Sequence, residues 1–414
     1  MDGQKNIVVI GAGVIGMGVA CHLQREGHRV SVIDRLSPGR ACSFGNGGGI
    51  SASSIVPLSF PGIVWKIPGW LLDPLGPLAL RWSHLPTLLP WLRAFLASSS
   101  EERFKAGVAA KSALGSACYE GWAPLIKEAG LDALVKHAGV IHIYRDRAAQ
   151  EQDSLPWRMR QDHGHPFQVL TNSELRQMVP DLSPDYSSGV FEDHWRYVTD
   201  PHDIVVGLAD HFRARGGTIH AEEVRDFELG EAGVTRVVTD RAWHACDEVV
   251  IAAGAWSHRL SARLGSPVPL EAQRGYHVTM PKTGLDIRHM LMDPAGKMGI
   301  TPMARGVRVS GTSEFSGLEA PPDFRRARVL ITKAKKLFPT LDPAGFTEWS
   351  GDRPVLPDTL PVIGRSPVHK NAIYAFGHSQ VGLTLGGITG KLVAEIVADR
   401  TPSIDLNPYR VDRF

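Results

Sequence analysis

The apolar positions near the start of the chain follow the pattern of a strand, a helix and a second strand. Asn6 to Ile10 is a continuous apolar run, as in a strand buried on both faces. Apolar residues then recur at helical spacing from Val14 to Cys21, and Gly27 is suited to end that helix. Arg29 to Ile33 predicts a second strand, which ends in Asp34. This order predicts a βαβ unit.

The turn between the first strand and the helix carries a G-x-G-x-x-G pattern. Its glycines are Gly11, Gly13 and Gly16. The first permits a tight turn, the second lets backbone approach a pyrophosphate, and the third lets the helix pack on the strand. The helix N-terminus at Val14 and Ile15 would direct free N–H groups at phosphates. The pattern therefore predicts dinucleotide binding.

The acid at the end of the second strand narrows the choice of dinucleotide. Asp34 lies 34 − 16 = 18 residues after the last glycine and is followed by Arg35. A carboxylate at this place suits a ribose hydroxyl and would repel a 2′-phosphate, so NADP is disfavoured.

Similar patterns recur farther along the chain. Glu248 to Ala253 predicts another buried strand, which ends at Gly254 before a helix begun by Trp256 and Ser257. Other segments with helical periodicity are 101–129, 201–215 and 388–398. Strands that alternate with helices predict an α/β fold.

Length and composition limit the classes of function. The chain has 414 residues, 43% hydrophobic and 21% charged, which indicates a globular protein of about two domains. A net charge of +2 gives no reason to expect a nucleic-acid partner. There is no apolar run of about 20 residues and no signal peptide, so we expect a cytoplasmic protein.

Cysteine and metal-ligand patterns add no chemistry. None of the four cysteines is spaced as C-x-x-C, so they are expected to be reduced structural thiols. No pattern of metal ligands is evident, and we expect no metal.

The first of two glycine-rich segments separates FAD from NAD. After the second strand, an NAD dehydrogenase would continue into another crossover helix, but here "CSFGNGGGIS" (Cys42 to Ser51) follows. Such a polar segment suits an elongated ligand. The second segment, "GHSQVGLTLGGITG", is either a flexible connection that packs two helices or the wall of a flat ring. A helix beginning after Gly386 and Gly387 would direct its positive end at that ring.

Five motifs in order resemble one enzyme family: "GAGVIGMGVACHLQREGHRVSVID", "SFGNGGGIS", "VVIAAGAWS", "WSGDRPVLPDTLPVIGR" and "GHSQVGLTLGGITG". The chain resembles the flavin amine oxidoreductases, which include D-amino-acid dehydrogenases, D-amino-acid oxidase, glycine oxidase and sarcosine oxidase. It is most similar to bacterial D-amino-acid dehydrogenases. The resemblance implies an α/β FAD-binding Rossmann-like domain plus an α+β substrate domain with a large mixed or antiparallel sheet.

The resemblance also implies domain limits and cofactor contacts. The FAD-binding segments are expected at 1–55, 165–265 and 345–414, and the substrate segments at 56–164 and 266–344. FAD is expected to be noncovalent. The expected FAD contacts are Gly11, Gly13, Val14, Ile15, Gly16, Asp34, Arg35, Ser43, Asn46, Gly47, Gly48, Gly49, Val224, Ala253, Gly254, Trp256, Gly377, His378, Gly382, Leu383 and Thr384.

Candidate substrate residues lie in two later motifs. Arg353 precedes Pro354 in the G-x-R-P motif, whose arginine binds the substrate carboxylate in the resembling family, and its fork geometry suits that role. Asp352 is expected to face solvent or cap a turn. The other candidates for substrate binding are Arg274, Tyr276, His277 and His378. Arg274 has the alternative of an ordinary ion pair, and Tyr276 and His277 should point to opposite faces of one strand.

The segment from Pro61 to Leu96 is rich in tryptophan and proline. It cannot form one long helix. It is either a cover of the substrate domain or a patch that touches a membrane surface, because Trp and Leu stand beside Lys66, Arg81 and Arg93.

The expected function is FAD-dependent dehydrogenation of a D-amino acid. Hydride would pass from the substrate Cα to flavin N5 and on to a quinone or electron-transfer chain. D-proline or hydroxy-D-proline is the favoured substrate, because bulky pocket residues and the lack of a charged patch suit a compact apolar amine. The alternatives are a glycine- or sarcosine-type oxidase using O2 and a non-catalytic flavoprotein subunit.

Overall fold

A computed structural model describes residues 3–73 and 76–414 of the chain. The α-helices are α1 (Val14–Arg25), α2 (Ile67–Leu72), α3 (Leu85–Ser98), α4 (Glu101–Ser116), α5 (Cys118–Glu128), α6 (Arg147–Gln152), α7 (Ser154–Asp162), α8 (Asn172–Met178), α9 (Pro201–Ala214), α10 (Ser257–Arg263), α11 (Arg325–Leu337) and α12 (Gly382–Val397). The β-strands are β1 (Asn6–Ile10), β2 (Arg29–Asp34), β3 (Gly49–Ile50), β4 (Leu78–Leu80), β5 (Val135–Lys136), β6 (Val140–Tyr144), β7 (Gln168–Leu170), β8 (Ser188–Glu192), β9 (Arg196–Val198), β10 (Thr218–Ala221), β11 (Val224–Gly230), β12 (Gly233–Thr239), β13 (Trp243–Ala245), β14 (Glu248–Ile251), β15 (Glu271–Met280), β16 (Met290–Asp293), β17 (Met298–Met303), β18 (Gly306–Phe315), β19 (Thr347–Val355), β20 (Val362–Arg365) and β21 (Ala372–Phe376).

A six-stranded sheet with the order β10-β2-β1-β14-β21-β20 is built on the predicted βαβ unit. Its neighbours run parallel except for the last pair, in which β20 is antiparallel to β21. Alternate residues of β1 enter two different cores. Ile7 and Val9 pack with α1 and α9, while Val8 and Ile10 face the small sheet β11-β12-β13. Both faces of the sheet are therefore covered, as the apolar strands require.

A nine-stranded mixed sheet forms the second layer of the molecule. Its order is β19-β15-β18-β17-β16-β6-β8-β7, with β4 paired to β18. Most neighbours are antiparallel, but β6 runs parallel to β16 and β4 to β18. Helix α11 covers one face and buries Tyr276, Val278 and Met280 in a separate core. The predicted fold class, an α/β domain with a large mixed sheet beside it, is confirmed.

Two predicted helices have different bounds in the structure. The segment 101–129 forms α4 and α5 with a break at Ala117, so it is not one helix. Helix α12 begins at Gly382, six residues before the predicted start at Ile388. Gly386 and Gly387 lie inside α12, because close contacts with neighbouring helices compensate for their low helix propensity.

The division between the sheets differs from the predicted segments at two places. Strands β7 and β8 belong to the nine-stranded sheet, although 165–265 was assigned to the FAD-binding part. Strand β19 also pairs within that sheet, as neighbour of β15, although the last FAD-binding segment was predicted from residue 345. These strands belong to the larger sheet because β8 pairs with β6 and β19 pairs with β15. The paired strands are distant in the sequence, so the local sequence does not indicate the pairing.

The segment 61–96 contains α2, β4 and α3, with one short 3-10 turn before α2 and another between β4 and α3. Residues 74 and 75 of this segment lie outside the described residues. Across the described ranges, no helix is long and apolar enough to cross a bilayer.

Candidate active site

The first glycine pattern forms a cradle at the carboxyl end of β1. Gly11 has φ of +112°, and a methyl group added there would lie 2.4 Å from the carbonyl oxygen of Ala252. Gly13 is the N-terminal flanking residue of α1 and offers no capping side chain, so the N–H groups of Ile15 and Gly16 have no side-chain acceptor among the described residues. The Val14 N–H donates to Ser43 Oγ at 3.0 Å, which brings the second glycine-rich segment to this helix end.

Asp34 lies at the same sheet edge, at the end of β2. Its carboxylate accepts from the backbone N–H of Ala12 at 2.7 Å and of Leu36 at 2.8 Å. Burial raises its pKa. The remaining lone pairs of the two oxygens suit the hydroxyl donors of a ribose. Arg35 lies over the Trp256 ring at 4.4 Å.

The structure thus gathers about half of the predicted cofactor residues at one edge of the six-stranded sheet. The pairing of β2 with β1, of β1 with β14 and of β10 with β2 brings these strand ends side by side. The residues concerned are Gly11, Gly13, Val14, Ile15, Gly16, Asp34, Arg35, Val224, Ala253, Gly254 and Trp256.

The second glycine-rich segment crosses from this edge to the nine-stranded sheet, and several side chains fix it there. Asn46 Oδ1 accepts from the Gly48 N–H at 2.8 Å. Arg308 of β18 donates to the carbonyl of Asn46 at 2.7 Å, and Thr301 of β17 donates to that of Gly47 at 2.7 Å. Thr384 Oγ1 accepts from the Ser51 N–H at 3.0 Å, so this segment also contacts α12.

The N-terminus of α12 opens onto this segment. The helix begins at Gly382 with no capping side chain. The predicted residues Gly377, His378, Leu383 and Thr384 all surround this end. His378 is buried, its Nε2 lies 2.9 Å from Thr389 Oγ1, and burial lowers its pKa to about 3. It is therefore a neutral imidazole already engaged with the protein.

Arg353 lies on the face of the nine-stranded sheet that meets the glycine-rich segment. Its guanidinium covers Gly275, where an added methyl group would lie 2.3 Å from Cζ. Nη1 donates to Ser313 Oγ at 3.2 Å. No carboxylate of the described residues forms an ion pair with Arg353. Burial lowers the pKa of its guanidinium. A partly buried cation without a counter-ion is costly, and a carboxylate ligand would compensate for it.

His277 shares that face, as the pairing of β15 with β19 requires. It stacks on Trp349 with ring centroids 5.1 Å apart, and its Nδ1 lies 3.1 Å from the carbonyl oxygen of Gly45. Burial, with the charges of Arg308 and Arg353, lowers its pKa to about 3. His277 is therefore neutral at physiological pH.

Arg274 and Tyr276 point to the opposite face, toward α11. Arg274 Nε pairs with Asp352 at 3.0 Å, and its other nitrogens donate to the carbonyls of Ala320 and Gly317. Tyr276 is buried in the α11 core and donates to Glu314. Neither residue shares a face with Arg353, because side chains alternate along β15. The expectation for Asp352 was wrong, since it forms a partly buried ion pair with Arg274.

Several residues of this region carried no signal in the sequence. Arg308, Thr301 and Ser313 are ordinary strand residues whose role depends on strand pairing, and Trp349 begins the motif that contains Arg353 but was not predicted as a site residue. Gln273 lies directly across from Arg353, and its Oε1 is buried without a partner among the described residues. Lys111 of α4 lines a small cavity with Ser51 and Thr384, and burial lowers its pKa to about 8.

The donor set fits FAD. The free N–H groups at α1 suit the pyrophosphate, Asp34 suits the ribose, and the uncapped end of α12 suits the electron-rich edge of a reduced flavin. The four cysteines are free, and burial raises the pKa of the Cys42 thiol, near Arg353, to about 11.

Comparison with known proteins agrees with this geometry. The chain matches the FAD dependent oxidoreductase family over residues 6–396. It is 40% identical to a protein named D-amino-acid oxidase from Bradyrhizobium diazoefficiens, over 99% of both chains. It is 30% identical to a D-amino acid dehydrogenase from Paramagnetospirillum magneticum, over 99% of this chain and 98% of that protein.

Solved structures share the fold at lower identity. Glycine oxidase from Geobacillus kaustophilus superposes with a TM-score of 0.76 at 22% identity, covering 100% of this chain and 99% of that one. L-proline dehydrogenase from P. horikoshii gives 0.77 at 19% identity, covering 100% and 98%. The predicted family and cofactor are confirmed: this chain is an FAD-dependent oxidoreductase and belongs to the family of FAD-dependent oxidoreductases that its residues 6–396 match.

Proposed function

We propose that the chain oxidises D-amino acids at the Cα–N bond. The observation that carries the proposal is Arg353, a partly buried guanidinium without a carboxylate partner among the described residues, on the face that meets the glycine-rich segment. A free amino acid supplies the missing carboxylate. The names of the relatives at 40% and 30% identity support D-amino acids as the class.

The protein's part in the reaction is to bind and orient. Arg353 forms two parallel hydrogen bonds with the substrate carboxylate, and Ser313 holds its Nη1 in place. The free Oε1 of Gln273 accepts from the substrate amine. His277 and Trp349 form an uncharged wall beside the carboxylate site. We propose that the N-terminus of α1, Asp34 and the N-terminus of α12 would hold FAD without a covalent bond, and when bound FAD would supply the hydride acceptor for the substrate.

The test is anaerobic reduction of the bound flavin. Purified protein should be yellow, and its flavin absorbance should bleach with D-amino acids but not with their L-enantiomers. Denaturation should release the flavin into the supernatant, as a noncovalent cofactor requires. Bound FAD that no D-amino acid reduces would instead support a non-catalytic flavoprotein subunit and refute the proposal.

We propose a quinone or electron-transfer chain as the acceptor. Relatives at 27–30% identity are named dehydrogenases, whereas the 40% relative is named an oxidase, so O2 is the specific alternative. Turnover should be much faster with an artificial quinone than with air. Stoichiometric peroxide at an equal rate would assign the oxidase instead.

We propose a compact, apolar substrate such as D-proline or hydroxy-D-proline. The support is the stacked pair of His277 and Trp349, which limits the space beside Arg353. Tyr276 does not limit the substrate's size, because it lies on the face of β15 that packs against α11. The likeness to L-proline dehydrogenase concerns the fold alone. If D-alanine or a long D-amino acid bleaches the flavin much faster than D-proline and cis-4-hydroxy-D-proline, this preference is excluded.

We further propose that the segment 61–96 contacts the cytoplasmic membrane surface. Trp65 is 84% exposed, Leu72 83% and Trp82 70%, while the partly buried residues between them pack on Trp91 and Phe95. Lys66 stands beside this patch and suits anionic headgroups. An acceptor in the membrane would give such a contact a purpose.

A further inference from the structure

A cluster of two histidines and one glutamate lies outside the candidate active site. Its members are His220, Glu222 and His244. His220 is on β10, the edge strand of the six-stranded sheet, and Glu222 follows that strand. His244 is on β13, the last strand of the small sheet. No ligand spacing marked the cluster in the sequence, because His244 lies 22 residues from Glu222.

The distances within the cluster resemble those of a metal site. Nε2 of His244 lies 2.8 Å from one carboxylate oxygen of Glu222, and Nδ1 of His220 lies 3.8 Å from the other. All three ligand atoms lie within 4.8 Å of one another. Tetrahedral zinc holds its ligand atoms about 3.4 Å apart, and the two histidine–glutamate distances of 2.8 and 3.8 Å lie on either side of that spacing.

The surroundings of the cluster support binding of a cation. Thr239 Oγ1 donates to Glu222 at 2.7 Å and fixes the carboxylate, as outer partners of metal ligands commonly do. The side chains of His220, Glu222 and His244 are 33%, 13% and 16% exposed, so an ion can enter and keep water at a remaining position. The imidazole rings lie 4.5 Å apart.

From this geometry we propose that His220, Glu222 and His244 bind a divalent transition-metal ion. Two imidazoles and one carboxylate favour zinc, cobalt or nickel over magnesium and calcium. The ion would join β13 to the edge strand β10 and so hold the small sheet against the six-stranded sheet. Its role is structural, since the cluster is separate from Arg353 and its surroundings.

A simpler arrangement accounts for part of the cluster without metal. His244, Glu222 and Thr239 already form a hydrogen-bonded chain. His220 distinguishes the two arrangements, because at 3.8 Å its Nδ1 forms no hydrogen bond with Glu222, whereas a shared ion would join the two groups.

The experiment uses the FAD-loaded protein, freed of metal with a chelator and titrated with zinc. Zinc should raise Tm, and its binding should saturate at one equivalent per chain. Magnesium should not raise Tm. His220→Ala and His244→Ala should each weaken zinc binding at least about tenfold. His137→Ala, at an exposed histidine, should bind zinc like the wild type. FAD content should stay the same throughout.

Two outcomes overturn the proposal. One is a wild-type protein whose Tm and zinc content do not respond to micromolar zinc. The other is a His220→Ala variant that binds zinc as tightly as the wild type. If His244→Ala fails to fold, His220→Ala still decides, because its side chain is the most exposed of the three.

Discussion

At the scale of single residues, the two arginines of neighbouring strands have different tasks. Arg274 is satisfied by Asp352 and by backbone carbonyls, whereas Arg353 has only Ser313 as a side-chain partner among the described residues. A buried guanidinium without a counter-ion is costly, and a carboxylate ligand would compensate for that cost. The side-chain environment, not the residue type, separates their roles.

Arg353→Ala should raise KM for the substrate by about 30- to 1000-fold, because a charge-assisted bidentate contact contributes roughly 2–4 kcal/mol. The FAD content should not change. Arg353→Lys should give an intermediate KM, since it keeps the charge but loses the fork. Arg288→Ala, at an exposed arginine paired with Asp286, is the matched control. Steady-state kinetics check this; a change below about threefold would move the carboxylate site elsewhere.

Lys111 should make stability depend on pH. Burial lowers its pKa from 10.5 to about 8, so between these values the unfolded chain binds more protons than the folded chain. The free energy of unfolding should therefore rise as the pH increases from about 8 to 10.5. Lys111→Met should remove this rise and stabilise the protein by about 1–3 kcal/mol below pH 8.

Urea unfolding at several pH values measures the effect of Lys111. Lys136→Met, at an exposed lysine, should retain the wild-type slope of stability against pH. Parallel curves for wild type and Lys111→Met would show that Lys111 keeps its ordinary pKa.

At the scale of elements, glycines determine how closely α12 approaches its neighbours. A methyl group at Gly387 would lie 2.6 Å from backbone atoms of Gly121 and Trp122 in α5. One at Gly390 would lie 2.5 Å from the Gly18 carbonyl oxygen in α1. The second half of the glycine-rich stretch 377–390 therefore serves helix packing, and a flavin wall stays a prediction for its first half.

Gly387→Ala should destabilise the protein by roughly 1–3 kcal/mol, because backbone on the facing helix cannot yield easily. The control is Gly69→Ala in α2, where an added methyl group meets nothing within 4 Å. That change should be neutral or stabilise by up to about 1 kcal/mol through helix propensity. Urea unfolding compares the two; equal stabilities would mean that α12 can shift away from α5.

At the scale of the whole molecule, the candidate site lies where the two large sheets meet. The six-stranded sheet supplies the dinucleotide cradle, and the nine-stranded sheet supplies Arg353 and His277. The segment 42–51 connects them, because Ser43 Oγ accepts from the Val14 N–H of α1 and the carbonyl of Asn46 accepts from Arg308 of β18. The proposed sites for cofactor and substrate therefore share one interface between the sheets.

The proposed membrane contact predicts that loss of the exposed tryptophans weakens vesicle binding and leaves flavin reduction unchanged. Trp65→Ser combined with Trp82→Ser should reduce cosedimentation with anionic vesicles several-fold, because both side chains are largely exposed and contribute little to the core. Reduction of the flavin by substrate should remain unchanged. Leu229→Ser, an exposed apolar residue on β11, is the control for general surface polarity. Equal sedimentation of all three proteins would indicate that the patch is only a domain cover.

The sequence alone determined the features that depend on nearby residues. The βαβ unit, its three glycines and Asp34 were predicted within a residue or two, because apolar periodicity and glycine spacing are local. Arg353 was singled out by the family resemblance of its G-x-R-P motif, not by local sequence alone. FAD as cofactor followed from these features together with the resemblance.

Only the tertiary structure decided what depends on strand register and distant packing. It placed Arg274 and Tyr276 on the face away from Arg353, because pairing with β18 and β19 sets which way each residue of β15 points. It assigned β7 and β8 to the larger sheet and brought His244 to His220. Residues far apart in the chain leave no shared pattern in the sequence, so their proximity appears only when the sheets are assembled.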